Sequence, residues 1–191
     1  MGGERVIHNF NQKLCYSFGE REQSDIDILK QAIIGSVSVI KTDIETDKGG
    51  ADYIVTLRKG TKILIDAKTR EPGASRYWRY NEPELALEKW SVCPDENGDG
   101  GKVGWTLNEE CNVDMILYTF DPSDCKKFYL LPFQHLRMAF IRHYAEWVNR
   151  YGLKKQRSEY GREWQSEAVF VPASIVINAI METMAGEMKG G

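Results

Sequence analysis

Hydrophobic positions recur with a helical period over residues 17–34, where Ile26, Leu29 and Ile33 share one face with Glu22. Gly35 ends that pattern. The period then falls to two. Ser36–Lys41 (SVSVIK) alternates and is β-branched, which predicts a strand. Tyr53–Leu57 (YIVTL) and Lys62–Lys68 (KILIDAK) predict two more, and Arg58-Lys59-Gly60-Thr61 is short enough to join them as a hairpin. Glu84–Trp90 reads as a short helix. Val113–Phe120, Phe128–Leu131 and Ala168–Val171 read as strands. Phe133–Tyr151 carries the clearest amphipathic stripe, built from Phe133, Leu136, Phe140, Tyr144, Trp147 and Tyr151. Ser174–Met184 predicts a closing helix.

Between these elements lie polar stretches. Thr42–Gly50 is acidic, ends in Gly-Gly and reads as a loop, as do 71–81, with Pro72 and Gly73, and 94–104 (PDENGDGGKVG). Lys154–Trp164 is polar and basic, and Gly186–Gly191 predicts a frayed tail. Neither flank of 94–104 makes a core of its own and no repeat is present, so residues 1–191 read as one domain. The order of elements implies an α/β (α+β) domain with a central mixed β-sheet flanked by helices.

Composition narrows the class. Of 191 residues, 42% are hydrophobic and 28% charged, with a net charge of −3, which is the profile of a folded globular chain. No apolar run approaches the ~18 residues of a membrane span. The start, Met1-Gly2-Gly3-Glu4-Arg5, has no apolar signal core, which predicts a cytoplasmic protein without membrane partners. Cys15, Cys93, Cys111 and Cys125 are scattered, with no CxxC pair, and read as reduced thiols. His8, His135 and His143 are isolated from one another. Asp95–Gly100 copies the start of a calcium loop, D-x-N-x-D-G, but Thr106 stands where the twelfth-position glutamate belongs, so it reads as a surface turn. No P-loop or dinucleotide fingerprint is present, and nothing implies a nucleotide cofactor.

The chemistry concentrates in Gly49–Arg70 (GGADYIVTLRKGTKILIDAKTR). Residues two apart on a strand share a face, so Asp66 and Lys68 point one way and Ile63, Ile65 and Ala67 the other. A hairpin centred between Lys59 and Gly60 sets Asp52 opposite Ala67. A turn one residue longer or shorter sets it opposite Lys68 or Asp66. Every register brings Asp52 to the end of the strand that carries Asp66 and Lys68, and the preceding Gly-Gly frees it from regular strand geometry. Two carboxylates meeting there repel unless a cation sits between them. Mg²⁺ (or Mn²⁺) suits them, with the Ala67 backbone carbonyl as a further ligand. Lys68 could position or deprotonate an attacking water, or stabilise phosphate charge. Taken alone, Asp-x-Lys on a half-exposed strand is more often a solvated face with a surface ion pair.

An Asp at a strand start (Gly50-Ala51-Asp52), a hairpin, then Ile65-Asp66-Ala67-Lys68 resembles the PD-(D/E)xK nuclease superfamily, with Ala51 in place of the motif's proline. The resemblance covers residues 17–70. It implies a restriction-endonuclease-like fold, Asp52 and Asp66 as metal ligands, Lys68 as the catalytic lysine, and a helix glutamate, here Glu22, assisting the metal. The implied activity is metal-dependent endonucleolytic hydrolysis of DNA. The alternative is a catalytically inactive protein on the same scaffold that binds nucleic acid or a protein partner. A homodimer suits a double-strand cutter, although nothing in the sequence requires one.

The flanking sequence fits nucleic acid. Residues 58–80 hold seven Lys and Arg against two carboxylates, and Arg76-Tyr77-Trp78-Arg79-Tyr80 interleaves basic and aromatic side chains. Arg70, Arg76 and Arg79 are candidates for phosphates, and Tyr77 and Trp78 for bases. Packing of those aromatics onto the core is an equally good reading. A second basic stretch runs from Arg137 to Arg162 and reads mostly as a solvated face.

Overall fold

The alternation over residues 36–70 becomes three consecutive antiparallel strands, β1 (Ser36–Lys41), β2 (Tyr53–Leu57) and β3 (Lys62–Arg70). The structure is a computed structural model that describes residues 10–43, 49–70, 72–95, 97–157 and 165–190. Met1–Arg5, His8 and most of the basic stretch 154–164 therefore lie outside the described residues, as does the middle of 42–50. The N-terminal helix α1 (Phe10–Ala32) starts earlier than the apolar period predicts and ends just before Gly35, whose φ of 83° only glycine adopts without cost.

Further along lie β4 (Glu84–Val92), β5 (Lys102–Val103), β6 (Met115–Phe120), β7 (Tyr129–Pro132), α2 (Phe133–Tyr151), β8 (Leu153–Arg157), β9 (Gln165–Pro172) and α3 (Ala173–Gly190). The fold is mixed α and β, with two sheets among the described residues. The first has the order β1-β2-β3-β6-β7 and is itself mixed, since β3 and β6 run parallel while its other pairs are antiparallel. The second, β5-β4-β9-β8, is antiparallel throughout.

The second sheet overturns one expectation. Glu84–Trp90 is rich in helix formers, yet it is strand. Leu85 and Leu87 alternate with Glu84, Ala86 and Glu88, and pairing with β9 buries both leucines completely. Two fully buried leucines stabilise the fold by roughly 1.5–3 kcal/mol each, more than helix propensity can offset. The 71–81 loop is tighter than expected, with two 3-10 turns at Ala74–Tyr77 and Arg79–Asn81. Part of the basic stretch after α2 is strand β8 rather than loop. Helix α3 runs to Gly190, past the point where its glycines predict fraying.

Two hydrophobic cores flank the first sheet. One face packs against α1 through Leu29, Val39, Tyr53, Val55, Ile65 and Leu117. Its other face joins the larger core, where Ile116, Tyr118 and Phe120 meet Leu85, Val169, Phe140 and Trp147. Strand β6 is therefore covered on both faces, which explains its near-continuous buried run. The Tyr118 hydroxyl accepts the Ala86 N–H at 2.8 Å and ties the two sheets together. No helix among the described residues is long and apolar enough to cross a membrane.

Candidate functional site

The β2–β3 turn is a three-residue loop. Leu57 N–H donates to the Thr61 carbonyl at 2.8 Å, and Gly60 takes the left-handed conformation that closes such loops. The strands then pair as Thr56 with Lys62 and Tyr53 with Ile65. Carried one residue further, this register sets Asp52 against Asp66, one of the two flanking alternatives that the sequence left open. The Asp52 N–H, however, donates to the Ile65 carbonyl at 2.8 Å, so the residue leaves the regular ladder. Its carboxylate turns round the strand end, and Oδ2 accepts the Ala67 N–H at 2.7 Å. The carbonyl and N–H of a strand residue face the same side, so the Ala67 carbonyl lies on this edge as well.

The backbone entering Asp52 is shaped by Gly50. Its φ is 88°, and a Cβ placed there would lie 2.8 Å from Cys111 Sγ. Glycine is required both for the turn and for this close approach.

Asp66 projects to the opposite face of β3 from Ile65 and is buried, its side chain only 6% exposed. Lys68 Nζ donates to Asp66 Oδ1 at 2.8 Å and lies 5.8 Å from the centre of the Trp105 ring. Burial lifts the Asp66 carboxyl, Lys68 opposes that, and the neighbouring Asp52 carboxylate reinforces it, leaving Asp66 at about 7. A cation here would compete with the proton on Asp66 and would relieve the repulsion between the two carboxylates.

One residue of this site escaped the sequence. Glu88, on β4, lines the same pocket and feels the charge of Lys68; burial raises it, opposed first by the Trp105 N–H and then by Lys68. Read as helix, Glu84–Trp90 gave Glu88 no reason to face Asp66. Its alternation with Leu85 and Leu87 is the signal that could have placed it. The pocket encloses about 380 Å³, and Asp52, Asp66, Lys68, Glu88, Lys102 and Trp105 are among its walls.

Glu22 lies elsewhere. It pairs with Lys41 at 2.9 Å at the surface and does not line this pocket. Among the described residues, the carboxylate that α1 buries is Asp25. It accepts the Tyr53 hydroxyl at 3.2 Å, and burial raises it to about 6, offset in part by that bond. A helix buries a stripe more than one residue wide, and both Glu22 and Asp25 fall near its edges.

Among the described residues no group of three or more His, Cys, Asp or Glu side chains could hold a metal by itself. The oxygen set is the Asp52 and Asp66 carboxylates and the Ala67 carbonyl. That set suits a hard divalent cation which completes its shell with water and phosphate, the usual habit of Mg²⁺. It does not suit a soft or fully caged metal.

The aromatic-basic segment is anchored from below. Asp124 accepts the Ala74 N–H at 2.9 Å and the Ser75 hydroxyl, and these bonds lower its carboxyl. Trp78 packs edge-on against Phe120, with ring centres 5.6 Å apart, so it forms wall rather than platform. Arg79 donates to the Tyr151 carbonyl at 2.6 Å and approaches Glu84. Arg70 lies over the Phe170 ring, 4.6 Å from its centre. Arg76 and Tyr77 remain exposed. In the second basic stretch, Arg137 pairs with Glu109 and Arg150 lies over Tyr151, while Lys154 of β8, opposite Ala168, faces the cleft beside Arg70 and Lys155, opposite Glu167, leaves the other face.

The remaining candidates have structural partners. Asp95 spends its carboxylate on the N–H groups of Asn97 and Asp99, and Thr106 is buried, accepting the Glu88 N–H, so the 95–106 segment is a turn rather than a calcium loop. His135 pairs with Glu187 and His143 stacks on Trp147. Cys93, Cys111 and Cys125 are free thiols. No protein-family model, curated protein or solved structure matches the chain.

Proposed function

We propose that this protein is a metal-dependent nuclease of the PD-(D/E)xK type, on a restriction-endonuclease-like scaffold, that hydrolyses DNA phosphodiester bonds. The observation that carries the reading is the meeting of Asp52, Asp66 and Lys68 at the end of β2, with Asp66 buried and bonded to Lys68 at 2.8 Å. A buried ion pair is weak grounds for stability, since desolvation offsets much of its attraction. Its position at a strand end, beside a second carboxylate and an open pocket, has a better account in catalysis.

Asp52, Asp66 and the Ala67 carbonyl would hold Mg²⁺ or Mn²⁺. When bound, the cation would lower the pKa of water and offset phosphate charge. Lys68 then has two tasks. With Asp66 directed to a cation, the Lys68 ammonium could orient the attacking water or offset charge on the scissile phosphate. Glu88, across the pocket, adds negative charge on the side facing the Lys68 ammonium. Trp105 shields one side of it from bulk solvent.

A cleavage assay tests the proposal. Supercoiled plasmid, linear duplex, single strands and a branched junction would each be incubated with wild type and Lys68→Ala, in Mg²⁺, Mn²⁺ or EDTA. Metal-dependent cutting that disappears in Lys68→Ala is the expected result. Absence of cutting on every substrate, with DNA still retarded in a gel shift, would leave the alternative of an inactive binding scaffold.

A further inference from the structure

We infer that the cleft next to the carboxylate site holds an unpaired stretch of DNA, with its phosphates on Arg70, Arg76 and Lys154 and one base stacked on Tyr77. This rests on the nuclease reading for the direction of the strand through the site. The cleft itself stands on separate observations.

The first is placement. Arg70 follows Lys68 by two residues on β3, so both side chains leave the same face, ~7 Å apart at strand spacing. A strand seated at Lys68 can therefore run on into the cleft beyond it. That cleft encloses about 680 Å³ between the 70–79 segment, β8 and Phe170 of β9.

The second is charge. Arg70, Arg76, Arg79 and Lys154 line the cleft against Glu84, which faces Arg79. Among the described residues, no ion pair occupies Arg76 or Lys154. Cations left together without carboxylates repel one another, and a polyanion relieves that repulsion while releasing its counterions.

The third is a pair of unsatisfied donors. Arg70 Nε and Trp78 Nε1 are buried and have no hydrogen-bond partner, although both residues border the cleft. A buried donor without an acceptor is costly, and a turn of either side chain toward the cleft would bring it to a phosphate or base oxygen.

The fourth is the ring of Tyr77, which is 78% exposed at the end of a turn that Asp124 pins in place. An exposed ring among cations offers a stacking platform. A duplex keeps its base faces stacked inside and presents only edges in its grooves, so it has nothing to lay on Tyr77. Unpaired bases do.

Fluorescence anisotropy in EDTA tests this without any cutting. The probes are a labelled oligodeoxynucleotide and the duplex of the same length. Wild type should bind the single strand at least tenfold more tightly. Tyr77→Ala should weaken single-strand binding about fivefold or more, and Tyr77→Phe should restore it. Lys154→Ala should reduce the salt dependence, the slope of log affinity against log salt falling by ~0.7. Duplex bound as tightly as the single strand, or Tyr77→Ala binding like wild type, overturns the inference. Its failure is separable from that of the nuclease reading. Single-strand binding of the expected kind without metal-dependent cutting keeps the cleft and removes the nuclease. Cutting with unaltered binding by Tyr77→Ala keeps the nuclease and removes the cleft.

Discussion

The Asp52 carboxylate accepts the Ala67 N–H at 2.7 Å, on a strand edge where β2 has ended and supplies no further ladder partner. A side chain thereby takes the place of a backbone acceptor, and Asp52 is held against the residue that separates Asp66 from Lys68. Charge-assisted bonds of this kind are about twice as strong as neutral ones. The same bond that finishes the hairpin thus brings the second carboxylate to the site.

Replacing Lys68 is expected to abolish most activity with little effect on folding. Lys68→Ala should lower cleavage ~100-fold or more, within the range for loss of a proton-transferring or charge-stabilising group. The measurement is the initial rate in Mg²⁺ together with the thermal midpoint, which should change little because Lys68 is one-third exposed.

Asp66 makes stability depend on pH. Its carboxyl is raised from 3.8 to about 7, so between those values the folded state binds more protons than the unfolded state. Stability therefore falls as pH rises through that window, by up to ~4 kcal/mol. Asp25, raised to about 6, acts in the same direction up to its own value. Denaturant midpoints from pH 4 to 8 should decline without metal, and Asp66→Asn should flatten the upper part of the curve. Mg²⁺ should stabilise wild type more at pH 8 than at pH 5, because the ligand must lose its proton.

The Tyr53 hydroxyl is the donor to buried Asp25. Tyr53→Phe leaves that carboxyl without its bond and should cost about 1–3 kcal/mol, read from urea unfolding. The lost donor should also raise the pKa of Asp25 further, which shifts the pH range of the effect upward.

Gly50→Ala meets two obstacles, a φ of 88° and the sulfur of Cys111 at 2.8 Å from the new Cβ. The backbone cost alone is about 1–2 kcal/mol. Adding Cys111→Ala should recover the steric part and leave the conformational part. A double-mutant cycle on thermal midpoints measures the coupling, which is expected to be non-zero.

Asp124→Ala removes the acceptor that fixes Ala74 and Ser75. The turn carrying Arg76 and Tyr77 should loosen. Limited trypsin digestion should then cut after Arg76 faster than in wild type, with the rest of the pattern unchanged.

Local pattern was enough for most elements and for part of the site. Period-two alternation in SVSVIK, YIVTL and KILIDAK is a property of neighbouring residues, and so were the hairpin and the sharing of one face by Asp66 and Lys68. The stripe of Phe133–Tyr151 was equally local. Three features depended on residues far apart in the chain. Glu84–Trp90 is strand because β9, some eighty residues later, pairs with it, and this long-range pairing placed Glu88 beside Lys68. Periodicity could not tell Glu22 from Asp25, since the burial of one of them depends on where Tyr53 meets the helix. The cleft of Arg70, Arg76 and Lys154 exists only once β8 lies beside β9. Chain neighbours decide which face a side chain takes, but only packing decides what that face meets.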